Sequence, residues 1–139
     1  MNQPALQDKV VVIIGGTAGL GLSAAQACLR EGANVVALGR DSDSATQAGK
    51  LLGTAARTLV GDATDPRSAI LAIETALREF GGFHAFYHVA GGSGRKMGDG
   101  PLHEITDEGW AYTLNLNLTS LFNSNRAATQ QFLKQGSGG

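Results

Sequence analysis

The fold of this chain is decided by residues 9–29, which read KVVVIIGGTAGLGLSAAQACL. Residues 10–14 form a continuous β-branched apolar run, which predicts a strand buried on both faces of a parallel sheet. The apolar spacing from Leu22 to Leu29 predicts a helix, and Gly32 follows it as glycines follow helix ends. The loop between strand and helix is rich in glycine. A strand, a glycine loop and a helix in this order are typical of a site that binds phosphate.

The start of the helix supplies the physical basis of such a site. The first amide groups of a helix have no partners within it, and the helix dipole adds partial positive charge, so backbone donors alone can hold a pyrophosphate. Gly15 allows a turn directly off the strand, Gly19 allows the loop backbone to approach a ligand, and Gly21 allows the helix to start close to the strand.

Two glycine frames compete in this loop. Gly19, Gly21 and Ala24 fit the pattern Gly-x-Gly-x-x-Ala, but that frame begins several residues after the strand, where no tight turn is needed. The frame Gly-x-x-x-Gly-x-Gly, which begins at Gly15, fits better and predicts a dinucleotide site. A glycine-rich turn that binds no ligand is the alternative.

Composition narrows the class of protein. The 139 residues are 42% hydrophobic and 17% charged, which predicts one globular domain with a substantial core. A net charge of −1 argues against a protein that binds nucleic acid or a membrane surface through a cluster of basic residues. Cys28 is the only cysteine, so there is no disulfide framework and no metal-ligand cluster, and its apolar neighbours favour a buried structural thiol. The chain shows neither a signal peptide nor a membrane-spanning run, so we expect a cytoplasmic protein.

Strands and helices alternate along the rest of the chain. The further predicted strands are 34–38, 57–61 and 85–89, and the further predicted helices are 45–52, one after Pro66 and a long one after Thr106. This alternation predicts an α/β fold, a Rossmann-type doubly wound parallel sheet made of its first four strands with their helices. No internal repeat or linker divides residues 1–139, so we expect a single domain.

Apolar spacing assigns a buried face to two of these helices. In the helix after Pro66 that face consists of Ile70, Ile73, Leu77 and Phe80. In the long helix it consists of Trp110, Leu114, Leu118, Leu121, Ala128 and Phe132. Asn117 and Asn125 lie on or beside the second face, so each is either a structural bridge or a site component, and the residues alone favour the bridge. The glycine-rich loop 91–100 either borders a substrate or is only a mobile connection.

The end of the second strand indicates which dinucleotide to expect. An acid there binds the adenosine ribose and repels a 2′-phosphate, whereas a nearby arginine accommodates that phosphate. This strand ends in Gly39 and Arg40, which favours NADP over NAD, and a solvated turn charge is the alternative for Arg40. Asp41 and Asp43 either contact the ribose or cap the following helix.

Five features in order resemble the short-chain dehydrogenase/reductase family. They are Leu6-Gln7-Asp8-Lys9-Val10, the loop from Gly15 to Gly21, Asp62 after the third strand, Ala90-Gly91 after the fourth, and Trp110 to Phe122 with Asn117 in the family's spacing. The resemblance covers nearly the whole chain. It implies that residues 1–139 are a NAD(P)-binding Rossmann domain.

The resemblance also implies a role for each matching position. Together with Arg40, the implied cofactor-binding residues are Gly15, Thr17, Gly19, Leu20, Gly21, Asp62, Ala90 and Gly91. Asn117 matches the family's active-site asparagine, which anchors a water chain to the catalytic tyrosine and lysine. Ala18 stands where many NADP users of the family carry a basic residue, so Arg40 alone argues for the phosphate. His88-Val89 replaces the family's common Asn-Asn, and we expect His88 to be a strand histidine with a local partner rather than a base.

The implied activity is hydride transfer between NADP(H) and a small-molecule carbonyl or alcohol, represented here by the cofactor-binding half of an oxidoreductase. The family's Tyr-x-x-x-Lys pair has no match, because Tyr87 and Tyr112 lack a lysine four residues on. The family's fifth-strand serine also has no match, since Ser137 lies in a run of glycines. We therefore expect an incomplete, truncated domain that is inactive alone. The family forms dimers or tetramers, for which Leu118, Leu121 and Phe122 are available unless they pack inside one subunit.

Two other functions remain open at this point. The first is a non-catalytic NAD(P)-binding module or fragment. The second is a different Rossmann enzyme such as a methyltransferase, against which Arg40 and the spacing from Trp110 to Asn117 count.

Overall fold

The computed structural model describes residues 4–138 and arranges four strands of that part of the chain in one parallel sheet. The strands are β1 (Val10–Ile14), β2 (Asn34–Gly39), β3 (Ala56–Val60) and β4 (Ala85–His88). Their order across the sheet is β3-β2-β1-β4, so the chain winds first to one side of β1 and then to the other. Ile14 is in register with Leu38 of β2 and His88 of β4, which brings the ends of these strands to one level. The predicted Rossmann-type sheet is confirmed.

Helices connect the strands as the alternation predicts. They are α1 (Gly19–Arg30), α2 (Ser42–Leu52), α3 (Pro66–Phe80), α4 (Asp107–Leu114) and α5 (Ser120–Gln135). A short 3₁₀ turn, Arg95–Met97, interrupts the glycine-rich loop, and a π-helical segment, Asn115–Thr119, joins α4 to α5. Gly32 follows α1 with a φ of 84°, the left-handed conformation expected just beyond a helix end.

Two apolar cores lie on opposite faces of the sheet. The first is built on Val10, Val12 and Ile14 and is covered by α3 and α5 through Ala69, Ala72, Ile73, Ala76, Ala127 and Ala128. The second is built on Val11 and Ile13 and is covered by α1 and α2 through Ala25, Ala48 and Leu52. The burial of β1 on both faces is therefore confirmed. Cys28 packs against the second core but is only half-buried, not fully buried as expected, and this burial raises the pKa of its thiol.

Side chains cap the N-termini of three helices. Asp41 accepts a hydrogen bond from the amide of Ser44 at 2.7 Å at the start of α2, and Asp65 accepts one from Arg67 at 2.9 Å at the start of α3. Thr106 accepts one from Gly109 at 3.0 Å at the start of α4. Each of these bonds satisfies an amide that has no partner within its helix.

The π-helical segment is a wide turn held by two side chains. The Ser120 amide donates to the carbonyl of Asn115, five residues earlier, rather than to that of Leu116. The Ser120 hydroxyl donates to the Leu116 carbonyl at 2.6 Å instead, and Asn117 Nδ2 donates to the Thr113 carbonyl at 3.0 Å. These bonds stabilise the wide turn because they supply donors near carbonyls that a regular helix would pair with backbone amides.

The buried face predicted for the long helix is wrong at three of its positions, Trp110, Leu118 and Leu121. Trp110, Leu118 and Leu121 are 56%, 60% and 37% exposed. The residues that α5 buries are Ser120, Asn123, Ser124, Ala127 and Ala128. For Leu118 and Leu121 the reason is the wide turn, which adds one residue and rotates the faces that follow by about 100°, so a pattern of 3.6 residues cannot stay on one side. The small buried side chains also let α5 lie close to β4 and α3.

The predicted face of α3 needs a smaller correction. Ile73 is buried as expected, but Ile70 is exposed, because the buried face is centred on the alanines that contact β1 and β2. Within residues 4–138, no helix combines the length and the apolar character needed to cross a bilayer.

Candidate functional site

A cleft of about 380 Å³ lies where the carboxyl ends of the strands meet their following loops. Its lining residues are Gly15, Thr17, Ala18, Gly19, Leu38, Gly39, Arg40, Asp41, Ser44, Gly61, Asp62, Ala63, Val89, Ala90, Gly91 and Leu116. These residues come from the ends of all four strands, which is the edge where open α/β sheets bind ligands. Most of the lining side chains are small, so a ligand can approach the backbone closely.

The glycine loop follows the geometry that its spacing predicts. Gly15 turns off β1 with a φ of 86°, and a Cβ there would stand 2.7 Å from the amide nitrogen of Ala90. Gly21 packs its Cα against the carbonyl of Gly15, which leaves no room for a Cβ. Gly19 also has a positive φ, 51°, and the space beside it is open. At Gly15 and Gly19 the loop therefore presents backbone rather than side chain to the cleft.

The N-terminus of α1 differs from those of α2, α3 and α4. Ala18 precedes this helix, makes no side-chain cap, and is followed by no acidic residue in the first turn. Ala18 and Gly19 both line the cleft. Within residues 4–138, no side chain caps the first-turn amides, so these amides and the positive end of the helix dipole could receive an anionic ligand.

Arg40 stands at the rim of the cleft directly after β2. Its side chain is exposed, and within residues 4–138 its guanidinium makes no hydrogen bond or ion pair. The neighbouring Asp41 carboxylate is engaged at the start of α2, and its hydrogen bond to Ser44 lowers the pKa of Asp41. The helix-capping alternative for Asp41 is thus the one observed. Arg40 supplies positive charge that an added phosphate could pair with.

Asp62 follows β3 on the far wall of the cleft. Its Oδ1 accepts hydrogen bonds from the amide and the hydroxyl of Thr64, both at 2.8 Å. These bonds fix the orientation of the carboxylate. Its second oxygen receives no bond from residues 4–138, which leaves an acceptor for a donor group on a ligand.

Asn117 does not line the cleft, but its side chain holds the loop after β4, which does. Its Oδ1 accepts a hydrogen bond from the Gly92 amide and its Nδ2 donates to the Gly92 carbonyl, both at 2.9 Å. A Cβ on Gly91 would stand 2.7 Å from Asn117 Oδ1, so the loop after β4 passes tightly over this carboxamide. The structural-bridge interpretation of Asn117 is therefore satisfied in detail, and the bridge holds a loop that lines the cleft.

His88 at the end of β4 has the local partners expected of it. Its Nδ1 lies 3.0 Å from Ser124 Oγ, and its Nε2 lies 2.9 Å from the carbonyl oxygen of Ala90. Because a carbonyl can only accept, Nε2 carries the proton and Ser124 donates to Nδ1. Burial lowers the pKa of His88, which favours this neutral form. His88 thus ties α5 to the turn that carries Ala90.

The tertiary structure brings most of the predicted site residues together. All of the predicted cofactor contacts line the cleft except Leu20 and Gly21. Leu20 is 77% exposed on the first turn of α1, and Gly21 is buried beneath the loop. Sequence reasoning missed Leu116, which reaches the cleft from the π-helical segment, and Ser120 and Ser124, which support His88. The spacing of Ser120 and Ser124, four residues apart on a helix that covers the sheet, was the sequence signal that could have identified these two serines.

A family of known enzymes matches the chain over nearly its whole length. The profile described as short chain dehydrogenase matches residues 9–139. An L-rhamnose-1-dehydrogenase from Scheffersomyces stipitis is 35% identical over 141 aligned positions, which cover 96% of this chain and 53% of the relative. An NADP-dependent (R)-specific alcohol dehydrogenase from Lentilactobacillus kefiri is 31% identical over 135 positions, covering 96% of this chain and 52% of the relative.

Solved structures agree with the sequence relatives. A short-chain type dehydrogenase/reductase from Mycobacterium ulcerans superposes with a TM-score of 0.85 at 27% identity, covering 96% of this chain and 50% of that one. The chain spans about half the length of the curated relatives it matches.

Proposed function

Because this chain belongs to the short chain dehydrogenase family, we propose that it binds NADP(H) and serves an oxidoreductase that transfers a hydride between that cofactor and a small-molecule carbonyl or alcohol. The observation that carries the proposal is the meeting of Gly15, Arg40 and Asp62 with the Ala90-Gly91 turn along one cleft. These residues lie on four separate segments of the sequence. The family's chemistry requires a nicotinamide dinucleotide, and this cleft has the parts to hold one.

Close backbone packing and uncapped donors in the cleft support a bound dinucleotide. The space that a Cβ at Gly15, Gly21 or Gly91 would need is taken by backbone or by Asn117, so the loops are packed for close backbone approach. We propose that the uncapped first turn of α1, with Leu20 and Gly21 in it, receives the pyrophosphate through backbone amides. When bound, the cofactor would supply or accept the hydride.

We further propose that Thr17 and Arg40 face the adenosine ribose end, that Asp62 meets the adenine, and that Ala90 and Gly91 pass along the cofactor. The free guanidinium of Arg40 supports NADP over NAD, because it can pair with a 2′-phosphate and stack on the adenine ring. The relative from Lentilactobacillus kefiri is an NADP-dependent alcohol dehydrogenase, which supports proposing the same cofactor for this chain.

Asn117 is proposed as the active-site asparagine of the whole enzyme. Its carboxamide holds Gly92 and Thr113, so it fixes the loop after β4 against the wide turn of the long helix. π-Helical turns of this kind occur frequently at functional sites. The proposed role is positional, keeping the proton pathway of the enzyme in line with the cofactor.

The whole protein is proposed to be a cytoplasmic homo-oligomer, a dimer or tetramer. The support is the exposure of the apolar side chains Trp110, Leu118, Leu121 and Phe122, which the rest of residues 4–138 leaves uncovered. Light scattering behind size-exclusion chromatography on the natural polypeptide tests this, and a strictly monomeric mass would contradict it.

Calorimetric titration of the 139-residue chain tests the cofactor proposal. Tighter binding of NADP⁺ than of NAD⁺ is expected. Binding of S-adenosylmethionine without either dinucleotide would replace the proposal with a methyltransferase. The enzymatic part is tested on the natural gene product, whose intact mass is first compared with 14.3 kDa. A larger product that binds NADPH but reduces no member of a panel of aldehydes and ketones would favour a non-catalytic binding module.

A further inference from the structure

In the cleft, the side chain of Thr17 fills the space that a side chain at position 39 would need. Thr17 is only 6% exposed, and its side chain lies directly on the Cα of Gly39, the last residue of β2. A Cβ at position 39 would overlap Thr17 Oγ1 and stand 2.9 Å from Thr17 Cβ and 3.0 Å from Thr17 Cγ2. Real Cβ atoms do not approach other atoms so closely, so a side chain at position 39 would force the Thr17 side chain or the backbone around it to move.

Backbone conformation does not explain the glycine at position 39. Gly39 does not have a positive φ. It pairs in register with Val60 of β3 as an ordinary strand residue. An L-residue could adopt this conformation without strain. The requirement for glycine is therefore steric and comes from one neighbouring side chain.

Position 39 matters because of what could otherwise stand there. A carboxylate at the end of the second strand of a dinucleotide-binding sheet accepts hydrogen bonds from the adenosine ribose and repels a 2′-phosphate. Thr17 and Gly39 both line the cleft, next to the free cation of Arg40. No hydrogen bond to the Thr17 hydroxyl occurs within residues 4–138, and the close contact that the structure shows for this side chain is with Gly39.

We propose that Thr17 is a specificity-determining residue that keeps the end of β2 free of an acidic side chain and thereby preserves the preference for a 2′-phosphorylated dinucleotide. This inference rests on the proposed function. It makes positions 17 and 39 a coupled pair, in which an acid at position 39 can change the cofactor preference only after the side chain at position 17 is removed.

The test is a double-mutant cycle of Gly39→Asp and Thr17→Gly in the 139-residue chain. Melting temperatures are measured without ligand, and dissociation constants for NADP⁺ and NAD⁺ are measured by calorimetry. Gly39→Asp alone should lower the melting temperature by about 5 °C or more through overpacking. In the Thr17→Gly background the same change should lower it much less. Gly138→Asp, which adds the same charge in open space, is the control.

The dissociation constants for NADP⁺ and NAD⁺ test the proposed role of Thr17 in specificity. Relative to Thr17→Gly, the double variant should lose about 10-fold or more in its preference for NADP⁺ over NAD⁺, because the new carboxylate opposes the 2′-phosphate. An equal fall in melting temperature in both backgrounds would overturn the coupling. Coupling without a change in preference would overturn the specificity role. If the unmodified chain binds NAD⁺ as tightly as NADP⁺, the proposed function fails, while the melting temperatures still report whether Thr17 restricts position 39.

Discussion

His88 Nδ1 lies 3.0 Å from Ser124 Oγ, and this hydrogen bond joins the end of β4 to the buried face of α5. The bond is part of a short chain of contacts, since His88 Nε2 also reaches the Ala90 carbonyl at 2.9 Å and the Ser120 hydroxyl at 3.4 Å. Ser120 in turn satisfies the Leu116 carbonyl of the wide turn. A histidine in the sheet therefore braces both a wall of the cleft and the helix behind it.

Replacement of Ser124 by alanine is expected to destabilise the protein by about 1–3 kcal/mol, because His88 Nδ1 then loses its donor in a site that water reaches poorly. Denaturant unfolding measures the change. Thr129→Ala on the exposed side of α5 is the matched control and should cause no loss of stability. Equal stability of the two variants would show that the bond to His88 contributes nothing.

The stability of the protein should depend on the protonation of His88. Burial lowers the pKa of His88, so its contribution is complete above the pKa of an unfolded-chain histidine, about 6.5, and is lost as the pH falls from there toward the lower pKa of the folded state. His88→Asn should therefore flatten the fall in unfolding free energy between about pH 7 and pH 5. His103→Asn, which changes an exposed histidine, serves as the control. Parallel pH profiles for the parent chain and His88→Asn would contradict this role.

Asn117→Ala is expected to destabilise the chain by about 1–3 kcal/mol and to weaken dinucleotide binding, since both bonds to Gly92 and the bond to Thr113 are lost together. Asn125→Ala is the matched control, because Asn125 is exposed on α5 and its side chain makes no hydrogen bond within residues 4–138. Unfolding in urea and calorimetric titration give the two readouts. Lower stability with unchanged affinity would confine Asn117 to a role in the fold.

Arg40→Ala is expected to weaken NADP⁺ binding by about 10- to 100-fold and to leave NAD⁺ binding nearly unchanged, because a guanidinium pairs only with the added phosphate. Arg30→Ala removes an equal charge at the far end of α1 and should alter neither affinity. Competitive titration of both dinucleotides measures the ratio. If Arg40→Ala lowers both affinities equally, Arg40 does not select for the phosphate.

The architecture could be predicted closely because its determinants are local. The run of β-branched residues 10–14, the alternation of strands and helices, and the caps Asp41 and Asp65 each act within a few residues of the chain. The same holds for the glycine loop, whose spacing sets both the turn at Gly15 and the start of α1. The carboxyl ends of the predicted strands also indicated the edge of the sheet at which the cleft lies.

The long helix shows where prediction from spacing fails. Its apolar pattern favoured Leu118 and Leu121 for the core, but the wide turn rotates the helix and places small residues such as Ser120 and Ser124 against the sheet. That turn depends on which carbonyls the side chains of Asn117 and Ser120 can reach. Spacing along one segment carries no information about such choices.

The sequence by itself determined the order of strands and helices, the glycine loop and the family, because these depend on residues close together in the chain. Only the tertiary structure decided that Thr17 fills the space beside Gly39, that His88 meets Ser124, and that Asn117 bridges to Gly92. Those contacts join residues 22 or more positions apart, between elements whose relative distance and rotation are set by packing the two cores against the sheet.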